Sequence, residues 1–291
     1  MGNPSLHVLF TMDCPPAGAR AEPRGPQSWE LGARAMDAFC TCLLDAGYAP
    51  TLFLTPEAAG EHDPMCDELA GAGVELALLV HPPALRGAGY KRYLGAYPRE
   101  QQQEIVAEAR RRFEDALGRR PQSVRSAMFS ASDATFAVLW ELGFRQSSLS
   151  SPGRQVRRHA AVWTDAAPDV HFVSATNRLV AGSLPLVEVP VTTDATQRRG
   201  GVAPDLAIEN GTLERWHRPL IAGQLARQAS QGVRFRALCF VTSSRVAYHD
   251  RSSRFRQTLE ALLDHLEELG QEYEIVPVTL AGVAARLHRA D

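Results

Sequence analysis

Three polar side chains that could act together follow apolar, strand-like segments. Asp13 ends LHVLFTMD, His81 follows VELALLV, and Arg125 lies within SVRSAMF. A carboxylate and an imidazole at one site can bind a metal or transfer protons. An arginine beside them can hold the carboxylate in place or bind an anion. Each residue also has a structural reading, as a turn cap, a core histidine or an ion pair. Their shared position at strand ends favours an active site.

These side chains can meet only if their strands end at the same edge of one sheet. Short apolar segments alternate with amphipathic ones along the chain, which predicts β–α units around a parallel sheet. VELALLV is apolar at nearly every position, as expected of a parallel strand that is covered on both faces. The clearest helix is 98–117, which has one apolar stripe and ends at Gly118. Ser28 is expected to cap a helix over 29–46.

About seven strands and their helices predict a single α/β domain over residues 1–291. A distorted (β/α) barrel fits this length, and an open doubly wound sheet is the alternative. In both folds the functional site lies at the C-terminal ends of the strands. Three further residues at these ends are expected to contact the substrate: Phe129, Ser147 and Thr242.

Composition limits the classes of function. The formal net charge is −2, which gives no electrostatic reason to expect nucleic acid or an anionic membrane as a partner. The five cysteines have no disulfide or zinc-ribbon spacing, and the N-terminal segment resembles no secretory signal. We therefore expect a reduced, cytoplasmic protein whose partner is a small molecule or a sugar. The sequence indicates no oligomeric state.

Taken in order, these motifs resemble those of the polysaccharide deacetylase family. TMD at 11–13 is similar to that family's first motif, and GVELALLVHP at 73–82 is similar to G-x-E-I-G-L-H-x-H-P. SVRSAMF, RQSSLS, LVEVPVT and LCFVTSS are similar to later motifs, so the resemblance extends from Leu6 to about Leu287. It implies a distorted (β/α) barrel that removes N-acetyl groups from sugars with a divalent metal. It also implies that Asp13 is the general base and that Arg125 orients it.

The metal ligands that the resemblance implies are only partly present. The family's metal-binding acid follows the first aspartate closely, and this chain has Cys14 there. The first metal histidine falls on Leu79, and the second is kept as His81. Leucine cannot bind a metal, whereas a Cys14 thiolate can and would favour zinc. Zinc held by Cys14, His81 and Asp13 is one open possibility, and a site without metal is the other.

Two catalytic positions also depart from the family. The late histidine falls on Thr242, and the aspartate of the D-S-S motif falls on Gln146. His249 lies in a later loop and could replace the lost histidine, although a surface position is the simpler reading. Loss of a general acid alone slows catalysis by about 10²–10⁴-fold. Three functions therefore stay open: a divergent hydrolase of an amide or N-acetyl carbon–nitrogen bond, a non-catalytic ligand-binding relative, and an enzyme with metal-free, changed chemistry.

Overall fold

The computed structural model describes residues 3–197 and 200–290. Within that range the strands are β1 (Ser5–Cys14), β2 (Thr51–Leu54), β3 (Glu75–Val80), β4 (Ser123–Ser126), β5 (Gln146–Ser147), β6 (Gln155–Val156), β7 (Ala161–Val162), β8 (His171–Val173), β9 (Leu184–Glu188), β10 (Arg236–Ser243) and β11 (Glu274–Pro277). The helices are α1 (Trp29–Asp45), α2 (Pro56–Glu61), α3 (Asp63–Gly71), α4 (Arg99–Leu117), α5 (Thr135–Glu141), α6 (Arg218–Ser230), α7 (Arg254–Leu269) and α8 (Leu280–Ala290).

Parallel strands form one curled sheet in the order β10-β1-β2-β3-β4-β5-β9. β8 extends it in the antiparallel direction, and β11 pairs with the first half of β1. Loop residues join its two ends: the Cys239 backbone N–H donates to Thr192 Oγ1 at 2.9 Å, and Ala207 pairs with Val241. The distorted (β/α) barrel of about seven strands is confirmed. The doubly wound alternative is wrong, because β1 to β5 are neighbours in chain order.

Alternation along β1 divides its side chains between the barrel interior and the helix layer. Thr11 and Asp13 both contact Arg125 inside the barrel. Cys14 lies on the other face, where burial, the charge of Asp13 and the neighbouring Cys40 and Cys66 raise the pKa of its thiol. Successive residues of a strand point to opposite faces, so adjacent residues of β1 belong to different environments.

The helices begin and end near the positions that the sequence predicts. Ser28 Oγ accepts a hydrogen bond from the Leu31 N–H and caps α1, and Gly118 ends α4 in the left-handed conformation with a φ of 62°. The short helix α2 was not predicted; the side chain of Thr55 caps it. β5 is shorter than expected. No helix in the described residues is long and apolar enough to cross a membrane.

Candidate active site

An ion pair inside the barrel joins two of the residues expected at the strand ends. Arg125 is fully buried, and its Nη1 donates to Oδ1 of Asp13 at 2.8 Å and to Thr11 Oγ1 at 3.0 Å. Its Nε and Nη2 donate to the carbonyl and hydroxyl oxygens of Ser148, at 2.9 and 2.8 Å. The guanidinium lies 4.1 Å from the centre of the Phe53 ring. These contacts hold Asp13 in one orientation.

Asp13 faces a cleft at the C-terminal ends of the strands, which we call the mouth cleft. Its volume is about 400 Å³, within the range of small-molecule sites. Thr242 at the end of β10 and Phe129 after β4 contribute to its walls. Its charged lining side chains come from widely separated segments of the chain: Asp13, Glu22, Arg24, Arg154, Asp205, Glu209 and Arg245.

Two carboxyl groups of the mouth cleft are shifted toward the protonated form. Burial raises the pKa of Asp13 above its ordinary value, and the charge of Arg125 opposes part of this rise. Burial raises the pKa of Glu209 to about 7, against a hydrogen bond from Thr242 that favours the charged form. Thr242 is in turn held by the hydroxyl of Tyr248 at 2.6 Å. Near neutral pH, Glu209 is therefore protonated about half of the time and can donate or accept a proton.

The other wall of the cleft carries a buried arginine and a buried aspartate. Arg154 is 7% exposed and lies over the Phe129 ring at 5.4 Å. Asp205 is also 7% exposed and accepts hydrogen bonds from the Ala207 N–H at 3.2 Å and the Asn210 side chain at 2.5 Å. Burial raises the pKa of Asp205. The carboxyl group is thus occupied by its own loop, and the structure shows no ion pair within 4 Å between it and Arg154.

The loop after β4 is strained where it lines the cleft. Met128 and Phe129 have φ angles of 59° and 61°, in the left-handed region that L-residues rarely adopt. The indole N–H of Trp163 donates to the Phe129 carbonyl at 2.7 Å, and the Ser126 hydroxyl donates to the Ser130 carbonyl. Strained backbone persists where its surroundings hold it, and it is common at functional sites. Trp163 is fully buried, so its hydrogen bond fixes the Phe129 backbone from the protein interior.

Ser147 lies beside the ion pair and does not line the mouth cleft. Its hydroxyl donates to Glu188, whose other oxygen accepts the N–H groups of Leu149 and Ser150 at 2.8 and 2.6 Å. Burial raises the pKa of Glu188 to about 6. The backbone after Ser147 thus turns toward this carboxyl group, which accounts for the shortness of β5.

His81 is buried and is not among the residues that line the mouth cleft. It is 3% exposed and packs parallel to the Tyr93 ring at 6.2 Å. Burial lowers the pKa of His81 to about 4, against a smaller opposing effect of the Glu22 backbone. The ring is neutral at pH 7, and no side chain in the described residues hydrogen-bonds it. His249, the other histidine considered, does not line the mouth cleft either.

The described residues do not form the zinc site of Cys14, His81 and Asp13 that the sequence left as one possibility. Cys14 lies on the helix side of β1, its thiol pKa is raised well above the usual value, and Asp13 is bound to Arg125. Leu79 pairs with Arg125 across β3 and β4, so an apolar side chain takes the place of the missing histidine. Residues 3–197 and 200–290 contain no group of three or more His, Cys, Asp or Glu that could hold a metal.

Sequence reasoning missed half of the cleft. Arg154, Asp205 and Glu209 all come from the irregular stretch 152–211, where no periodicity predicts which side chains turn inward. Arg245 follows β10 and also went unnoticed. Glu188 did carry a signal, because a charged residue within an apolar strand-like segment is rarely buried without a partner.

The architecture matches that of several solved structures. A protein from Mycobacterium smegmatis assigned as a polysaccharide deacetylase superimposes with a TM-score of 0.65 over 99% of this chain and 92% of that chain, at 16% identity. This chain has the polysaccharide deacetylase fold. A probable polysaccharide deacetylase from Pseudomonas aeruginosa PAO1 gives a TM-score of 0.64 over 98% and 91%, at 14% identity.

The same fold is shared by an enzyme named for a different substrate. PuuE allantoinase superimposes with a TM-score of 0.63 over 98% of this chain and 90% of that one, at 14% identity. No protein-family model matches the sequence, and no curated protein is significantly similar to it. At these identities the similarity establishes the polysaccharide deacetylase fold, and the chemistry has to be argued from the cleft.

Proposed function

We propose that this protein is a hydrolase that cleaves an amide or N-acetyl carbon–nitrogen bond of a small molecule or sugar, by acid–base catalysis without a metal. One observation carries the proposal: Asp13 and Glu209 face the same cleft, and the pKa of each carboxyl group is raised. Pairs of carboxyl groups in different environments are the usual means by which a protein supplies an acid and a base at one pH.

The two carboxyl groups have separate roles in this reaction. Asp13, ionised and held by Arg125, takes a proton from a water molecule whose oxygen adds to the substrate carbonyl carbon. Protonated Glu209 gives its proton to the leaving nitrogen as the carbon–nitrogen bond breaks. The products are a carboxylic acid and an amine. Proton transfer from Asp13 to Glu209 through solvent restores the starting state.

The shape of the cleft supports a small substrate. A volume of about 400 Å³ is enough for a sugar or a compact metabolite. Phe129 offers an apolar wall on which a ring can pack. An allantoinase shares this fold with the deacetylases, so the fold serves small molecules as well as polysaccharides. The five cysteines are free and buried, which agrees with action in a reducing compartment.

The proposal is tested by measuring amine release from a panel of N-acetylated sugars, their phosphates and small cyclic amides. The protein is first dialysed against EDTA. We expect turnover that survives this treatment, that falls at least about 100-fold in Glu209→Gln, and that is unchanged in Glu141→Gln, an exposed control. Turnover that requires added metal would refute the proposal, and so would turnover by Glu209→Gln equal to that of wild type.

A non-catalytic ligand-binding role is the second candidate. Leu79 beside Arg125 favours it, because that residue removes a ligand of the parent chemistry without adding another reactive group. This role predicts saturable binding of a panel compound with no amine release at any pH. Glu209→Gln would then leave the affinity for that compound within about twofold of wild type.

A further inference from the structure

Three arginines face the mouth cleft without carboxylate partners. Arg24, Arg154 and Arg245 line this cleft together with Glu209. In the part of the chain that the structure describes, no acidic oxygen lies within 4 Å of any of these three guanidinium groups. Elsewhere on the surface, arginines such as Arg99 and Arg178 are paired, with carboxylates at 2.6 Å in both cases.

Arg154 is the most telling of the three because it is buried. Its side chain is more than nine-tenths buried, yet its Nε has no hydrogen-bond partner among the described residues. Burial lowers the pKa of its guanidinium, and the charges of Asp205 and Glu22 only partly oppose this effect. A buried cation without a hydrogen-bonding partner is costly to the fold. Such a group is kept where a ligand supplies the missing acceptor.

Among the described residues, no carboxylate of the cleft lies within ion-pair distance of these arginines. Asp13 is bound to Arg125, and Asp205 is bound to its own loop. Glu22 is turned to the side, where its carboxylate lies 3.0 Å from His159 and 3.5 Å from Arg158. Glu209 is the one remaining acid of the lining, and the charges of Asp205 and Arg245 act on its pKa in opposite directions. Once the paired Asp13 and Glu22 are set aside, three arginines remain against Asp205 and Glu209 in the lining. The rest of the cleft is therefore cationic, although the whole chain carries a net charge of −2.

We infer that the substrate of this cleft carries an oxyanion group, a carboxylate or a phosphate, which is bound by Arg154 and Arg245 with Arg24 at the rim. A guanidinium presents two parallel N–H donors that match the paired oxygens of either group. The two proposed catalytic carboxyl groups, Asp13 and Glu209, are not part of this subsite. The inference rests on the proposed function only in calling the bound molecule a substrate. Binding of the anion itself does not depend on catalysis.

The test is isothermal titration calorimetry with inorganic phosphate and, separately, with sodium acetate, at constant ionic strength. We expect saturable binding of at least one anion, weakened by about tenfold or more in Arg154→Gln and in Arg245→Gln. Arg245 is exposed, so its variant tests the site even if Arg154→Gln folds poorly. Arg34→Gln, an exposed arginine of α1, is the matched control and should bind like wild type.

The two anions identify the source of the oxyanion. Tighter binding of phosphate indicates a phosphorylated substrate, and tighter binding of acetate indicates a carboxylate. No saturable binding of either, or equal affinity in wild type, Arg154→Gln and Arg245→Gln, would overturn the inference.

Glu209→Gln separates this result from the proposed function. It should abolish hydrolysis while it binds the anion at least as tightly as wild type, because it removes a negative charge from the cleft. Anion binding without hydrolysis in any variant would reject the enzyme and keep the subsite. Hydrolysis of anionic amides at rates that Arg154→Gln and Arg245→Gln leave unchanged, with no saturable anion binding, would keep the enzyme and reject the subsite.

Discussion

Asp13→Asn should lower the stability of the wild-type protein but raise that of the Arg125→Met variant. In wild type the guanidinium makes four hydrogen bonds, one of them to Asp13, and is fully buried. Arg125→Met preserves most of the apolar volume but leaves the Asp13 carboxylate buried without its cation. Asp13→Asn removes the charge from the other side of the pair and leaves the guanidinium uncompensated.

The expected magnitudes follow from the burial of the pair. Removing one member of a buried ion pair costs about 3–5 kcal/mol, because the remaining charge has lost its partner. We therefore expect each single substitution to lower the free energy of unfolding by about this amount. In the Arg125→Met background, Asp13→Asn should instead stabilise the protein. The coupling energy between the two positions should exceed about 2 kcal/mol.

Urea denaturation of the four proteins at pH 7 measures this coupling. The exposed pair Arg99 and Glu141, 2.6 Å apart with side chains 40% and 46% exposed, is the matched control and should give less than about 1 kcal/mol. Without its cation, Asp13 has a higher pKa in the folded state. Arg125→Met should thus be closer to wild type at pH 5 than at pH 8. Additive effects at the two buried positions would refute the reasoning.

Three further outcomes are expected. Because burial raises the folded-state pKa of Glu188 from 4.5 to about 6, wild type should lose about 2 kcal/mol of stability relative to Glu188→Gln as the pH rises through this window; parallel stability–pH curves would contradict this. Elemental analysis should find no zinc retained by wild type and no change in His81→Ala, whereas about one zinc per chain, lost in the variant, would restore the metal site. Gly25→Ala should expose the loop to limited proteolysis, since its Cβ would lie 1.7 Å from the Pro16 carbonyl oxygen. Gly71→Ala, where the space is open and φ is not positive, is the control, and equal cleavage of the two variants would contradict the predicted clash.

The alternating strands and helices of this protein could be predicted from its sequence. Apolar periodicity predicted helices such as α4, expected over 98–117 and observed over Arg99–Leu117. It also placed Asp13 and Arg125 at strand ends. Because parallel strands end at one edge of a sheet, their contact at 2.8 Å followed from the fold. The motif resemblance supplied the barrel itself, which periodicity alone left open.

The parts that depend on loops could not be predicted. Cys14 could have been assigned correctly, because it follows Asp13 in the same strand and must point the other way. Arg154 and Glu209 lie in a stretch without repeating pattern, and tertiary contacts rather than local sequence turn them toward the cleft. Sequence motifs therefore revealed the altered positions Cys14, Leu79 and Thr242, whereas the loop residues that line the rest of the cleft became visible only in the structure.

Direct titration of Glu209 tests the central claim that this cleft holds a proton donor near neutral pH. Carbon-13 NMR of labelled glutamate carboxyl groups gives the midpoint, and the resonance missing from Glu209→Gln identifies the residue. The account predicts a pKa of about 7. A midpoint near 4.5, the ordinary value for glutamate, would leave the cleft without an acid at pH 7 and would contradict the proposed mechanism.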